Sequence, residues 1–153
     1  MRRLALALVV CSAMHTKANA ESLGVGLFVG EPLGLDLKID LARKTALDFV
    51  FGATTIRDNR VSYGHVTYLV TPFVARGQSV LVPFRLGLGA ALYGALDDDT
   101  NLAARFPLEV GFRFRSAPIE IYVEIAMKLT LLDENDNNEF FDLDGGVGLR
   151  IYF

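Results

Sequence analysis

Hydrophobic and polar residues alternate along most of the chain after residue 21, with the period of a β-strand. In residues 119–131, Ile119, Ile121, Val123, Ile125, Met127, Leu129 and Leu131 share one face. Glu120, Tyr122, Glu124, Ala126, Lys128 and Thr130 share the other. A helix would scatter both sets around its circumference. Residues 141–153 repeat the pattern, with Phe141, Leu143, Val147, Leu149, Ile151 and Phe153 opposed to Asp142, Asp144, Gly146, Gly148 and Arg150. Six further segments follow the same rule, over residues 22–29, 33–41, 46–55, 62–73, 82–93 and 105–114, the fourth being the least regular. The pattern predicts an all-β chain of eight strands.

Most of these segments exceed the roughly five or six residues usual in soluble sheets and approach the nine to eleven of a tilted membrane-crossing strand. Their apolar faces are almost free of charge, while the polar faces carry both signs of charge and many glycines. A soluble barrel would bury the apolar faces; a membrane barrel turns them outward and encloses the polar ones. Three features favour the second arrangement. Glycines and mixed charges suit a narrow lumen. Aromatics fall near strand ends, Phe84, Phe114 and Phe153 in one girdle and Phe106 and Phe141 in the other. The sequence closes on alternating Val147, Leu149, Ile151 and Phe153, a pattern like the assembly signal of bacterial outer-membrane barrels. The expected fold is an eight-stranded antiparallel up-and-down transmembrane β-barrel over residues 21–153.

Composition narrows the alternatives. A chain that is 52% hydrophobic and 22% charged is not intrinsically disordered. A single cysteine excludes a disulfide scaffold, and no uncharged apolar run is long enough to cross a bilayer as a helix. A net charge of −3 argues against nucleic acid as a partner. Residues 1–20 read as a cleaved signal peptide: basic Met1-Arg2-Arg3, apolar Leu4 to Val10, and a small-x-small site at Ala18-Asn19-Ala20. Cleavage removes Cys11 and three of the fifteen basic residues, leaving twelve against eighteen acids, a net charge of −6. A chain without thiols suits an oxidising compartment. The expected location is the bacterial outer membrane.

With both ends of the barrel chain in the periplasm, the outward connections are residues 30–32, 56–61, 94–104 and 132–140, and the inward ones are 42–45, 74–79 and 115–118. The longest and most acidic face outward, and the short inner turns are basic. At this point the chain resembles the small eight-stranded outer-membrane barrels of the OmpA/OmpX type. The narrower resemblance rests on Glu31-Pro32-Leu33-Gly34-Leu35, Ala46-Leu47-Asp48, Pro118 to Glu124, Asp144-Gly145-Gly146 and Arg150 to Phe153. These segments look like a largely uncharacterised family of small outer-membrane barrels, which implies the fold and the location but no reaction. It also implies outer-membrane lipids and lipopolysaccharide as surroundings, and the barrel-assembly machinery as a partner through Phe153.

An eight-stranded barrel is just wide enough to be filled by its own side chains. The inward charges are Asp36, Asp40, Asp48, Glu109, Glu120, Glu124, Asp142 and Asp144 against Lys38, Arg85, Arg105, Arg113, Lys128 and Arg150. Near balance is what an enclosed ionic network requires. Its expected centre is Glu109, Arg113, Glu120, Glu124, Lys128, Asp144 and Arg150, with Arg113 and Arg150 on the strands flanking the Glu120–Glu124–Lys128 row. The expected role is structural, with an ion or proton path as the functional alternative.

Other candidates point less sharply to chemistry. His65 is the only histidine beyond the leader, and Ser62, three residues away, falls on the opposite strand face, so no serine–histidine pair forms. Asp133 to Asp144 has some of the spacing of a calcium loop but carries Asn138 where glycine is required. Asp97, Asp98, Asp99, Asp133, Glu134, Asp136 and Glu139 read as a solvated surface able to meet an extracellular protein partner. No enzyme activity, metal or cofactor is expected. A soluble lipocalin-like barrel for an apolar ligand and a small lipid-modifying enzyme are the competing readings.

Overall fold

The computed structural model describes residues 22–56, 59–96, 100–133 and 140–153. Residues 1–20, expected to be a leader, therefore lie outside the described residues, as do Asp97, Asp98, Asp99, Glu134, Asp136, Glu139 and the side chain of Asp133. Eight strands are formed: β1 (Leu23–Glu31), β2 (Leu33–Ala42), β3 (Thr45–Ile56), β4 (Asn59–Arg76), β5 (Val80–Tyr93), β6 (Asn101–Phe114), β7 (Ile119–Asp133) and β8 (Phe141–Tyr152). Each is antiparallel to its chain neighbours, and β8 returns to β1 to close the barrel. Closure leaves no edge strand with an unpaired row of backbone groups.

The strands turn their polar faces inward and their apolar faces outward. On β7, Glu120, Tyr122, Glu124, Ala126 and Lys128 are buried inside, while Ile121, Val123, Ile125 and Met127 are exposed outside. All eight strands contribute large hydrophobics to the exterior, and Leu27, Leu35, Leu88, Ile125 and Leu143 are each more than half exposed. The interior holds the ionised residues, with Phe28, Val50, Leu69 and four tyrosines between them.

Strand ends depart from expectation in several places. The connections expected over residues 56–61 and 74–79 are shorter, because β3 runs to Ile56, β4 begins at Asn59 and continues to Arg76, and β5 begins at Val80. The connection expected over 94–104 is cut short by β6 starting at Asn101. Backbone pairing continues there past side chains, such as Ala103 and Ala104, whose hydropathy contrast is too small to read. β4 carries a bulge between Val70 and Phe73. The bulge carries Phe73 to the outer face, beside Phe84, with ring centroids 5.7 Å apart.

Two local devices hold this shape. Gly94 ends β5 with φ of 72°, a left-handed conformation cheap for glycine, and its N–H donates to Ser62 O at 2.8 Å. Pro107 lies inside the barrel in mid-β6, where it has no N–H for the ladder. The β5–β6 pairing skips from Leu86–Leu108 to Gly89–Arg105, and a Cβ at Gly87 would lie 2.7 Å from the Pro107 ring.

Candidate functional site

The chemistry-bearing side chains of the described chain converge in the lumen, and Arg150 is their hub. It lies on β8 opposite Glu120 of β7 and Gly26 of β1. With no side chain at Gly26, the guanidinium extends past β1. Its Nε donates to Asp36 on β2 at 2.7 Å and its Nη2 to Asp48 on β3 at 2.7 Å. Its Nη1 reaches Glu109 on β6 at 3.0 Å and Glu120 at 3.4 Å. The plane lies over the Tyr122 ring, 3.7 Å from its centroid, and Tyr122 donates its hydroxyl to Asp36. One cation thus ties together carboxylates from four strands.

A second arginine shares two of these acids. Arg85 on β5 bonds to Glu109 and grips Glu120 through both oxygens, at 2.9 and 2.7 Å. A fork-on-carboxylate pair of this kind is directional as well as strong. Towards the end where β7 leads into β8, Arg105 bonds to Glu124 and donates to the Thr67 hydroxyl at 3.2 Å. At that mouth Lys128 bridges Asp142 at 3.0 Å and Asp144 at 2.8 Å, beside the Tyr93 ring. Glu31, on the same rim, accepts from the Thr54 hydroxyl and the Thr55 N–H. At the opposite end Lys38 bonds to Asp40 and to the Tyr152 hydroxyl.

The structure gathers Glu109, Glu120 and Arg150 into one network and places Glu124 and then Lys128 with Asp144 above it. Arg113 is not in the central row. It sits at the rim near Lys38, 3.9 Å from Asp40 and stacked over Tyr152 at 3.9 Å from the ring centroid. The residues that complete the centre are Arg85, Asp36, Asp48 and Tyr122. Strand parity already placed the three charged ones inward; the signal for Tyr122 was its position between Glu120 and Glu124 on the polar face.

His65 faces inward, its Nδ1 3.0 Å from the Tyr63 hydroxyl and its Nε2 3.4 Å from Asp48. Tyr63 stacks on Tyr93 with centroids 5.8 Å apart. Ser62 lies on the other face of β4, so the hydroxyl beside His65 is that of Tyr63. Asp144, the last ligand of the calcium-loop candidate, is paired with Lys128. No trio of His, Cys, Asp or Glu among the described residues is placed to hold a metal ion.

Among the described residues, six acids and five bases are buried in the lumen. The arrangement is a set of interlocked pairs, in which every buried base has an acidic partner. These pairs fill the lumen and link its strands to one another.

Glycines make room for the large members. A Cβ on Gly148 would fall 2.0 Å from Tyr122 Cε1, and the Tyr122 ring is held by Phe28, stacked at 5.9 Å, and by Arg150. Gly148→Ala should therefore cost about 1–3 kcal/mol through overpacking, measured by urea unfolding of the lipid-reconstituted protein. Adding Tyr122→Leu should make the double variant lose less than the sum of the two single losses.

No family model, no curated protein and no solved structure matches this chain.

Proposed function

We propose that this chain is an integral β-barrel of the bacterial outer membrane, exported by a cleaved leader. Its lumen is plugged by ion pairs, and it serves as a structural or surface-interaction protein through its acidic outer connections. The observation that carries this reading is the inversion of the two faces: ionised side chains are enclosed and a belt of large hydrophobics surrounds them. Soluble monomers rarely leave contiguous apolar patches beyond a few hundred Å². Strands of 9 to 18 residues are long enough for a tilted crossing. The resemblance to small outer-membrane barrels points the same way, towards membrane lipids, lipopolysaccharide and the assembly machinery as its surroundings. An extracellular partner would meet Asp97–Asp99 and the 133–139 segment.

Gel mobility tests the reading. Folded protein extracted in mild detergent should migrate differently before and after boiling, and should fractionate with the outer membrane. A monomer that stays folded in buffer without detergent would overturn it in favour of a soluble, lipocalin-like barrel.

A further inference from the structure

The turns joining β2 to β3, β4 to β5 and β6 to β7 open at one end of the barrel. They present Arg43, Lys44, Arg76 and Arg115 as exposed cations. No aspartate or glutamate occurs in residues 43–44, 76–79 or 115–118. Arg43, Lys44 and Arg76 make no ion pair with any described residue.

The turns are fastened to their neighbours. Thr71 N–H donates to Lys44 O at 2.7 Å, tying the first turn to β4. Arg115 N–H donates to Ser79 O at 3.0 Å, and its Nη1 to Gly77 O at 3.2 Å, tying the third turn to the second. The cations therefore stand on one joined rim.

Each begins where the apolar exterior stops. Exposed Leu41 precedes Arg43 by two residues, exposed Phe73 precedes Arg76 by three, and exposed Phe114 adjoins Arg115. The opposite rim carries Glu31 and Asp142 alongside Arg60, and the sequence beyond it is acidic at Asp97–Asp99, Glu134, Asp136 and Glu139. A ligand matching the turn end needs an acyl chain for the belt and an anionic phosphate for the rim. Arginine is suited to the phosphate by its planar donor fork.

We propose that this rim binds the phosphodiester headgroups of anionic phospholipids, holding them against the barrel in preference to zwitterionic lipids. The proposal rests on the transmembrane reading above. Attraction to a headgroup at the rim acts within a Debye length, about 10 Å at 0.1 M salt, so it should weaken as salt is raised.

The protein would be reconstituted in phosphatidylcholine vesicles containing a trace of spin-labelled phosphatidylglycerol or spin-labelled phosphatidylcholine, and the motionally restricted fraction of each compared. Phosphatidylglycerol should associate about three-fold more strongly, from the summed pull of the exposed cations. The preference should fall to parity in the Arg43→Gln, Lys44→Gln, Arg76→Gln, Arg115→Gln variant and in high salt. Should that variant lose its heat-modifiable mobility, the triple variant retaining Arg115 should lose most of the preference. Equal association of the two lipids with the unaltered protein, or a preference that survives the substitutions, would overturn the proposal alone. Failure to enter vesicles at all would overturn the transmembrane reading with it.

Discussion

Arg150→Met should destabilise the barrel by about 3–5 kcal/mol, because removing one member of a buried ionic cluster strands the others. Glu109 and Glu120 keep Arg85, but Asp36 and Asp48 lose the cation that both of them share. Urea titration in vesicles, followed by the gel shift between folded and unfolded forms, reads the loss. Combining Arg150→Met with Asp36→Asn and Asp48→Asn should recover much of it, since uncharged neighbours no longer need the arginine. Arg150→Lys should fall between wild type and methionine: an ammonium keeps the charge but lacks the fork that spans Asp36, Asp48 and Glu109. A loss for Arg150→Met below about 1 kcal/mol, the level of an exposed ion pair, would show that the network is hydrated and slack.

The second large effect concerns the exterior. Val123 points outward from β7 and pairs with Val110 and Val147, in the middle of the apolar belt. Val123→Arg should cost about 2–4 kcal/mol in vesicles, the price of a guanidinium near mid-bilayer. Ser116→Arg, on an exposed turn, should cost almost nothing in the same assay. If Val123→Arg is as mild as Ser116→Arg, the belt does not face acyl chains.

Much of this architecture was legible from residue order because side chains on a strand alternate without drift. Parity sorted Arg150, Glu120 and Glu124 onto one face and Val123 and Leu149 onto the other; glycine content, mixed charge, the aromatic strand ends and the closing Val147–Phe153 pattern were what turned the first set inward. Two things were not legible. The bulge on β4 leaves no mark in hydropathy, since Thr71 and Pro72 are neither strongly apolar nor charged; its effect is visible only in where Phe73 lands. The pairing within the lumen depends on stagger between strands and on a gap at Gly26. Sequence order therefore suggested Arg113 for the Glu120 row, because it lies on the preceding strand, and the register does set it opposite Glu120. In the structure Arg113 turns to the rim and stacks on Tyr152, while Arg85, one strand further away, takes the carboxylate. Tyr122 and Tyr152 were on the correct face by parity, but their use as plates beneath arginines is a matter of three-dimensional packing.

Arg150 arrives late in synthesis, on the strand that also seals the seam with β1. The other seven strands bring Asp36, Asp48, Glu109 and Glu120 to the centre, where Arg85 pairs with the two glutamates but with neither aspartate. The eighth strand supplies the cation that Asp36 and Asp48 share and also joins β1, so it acts as a keystone: neutralising the centre and completing the cylinder fall to a single strand.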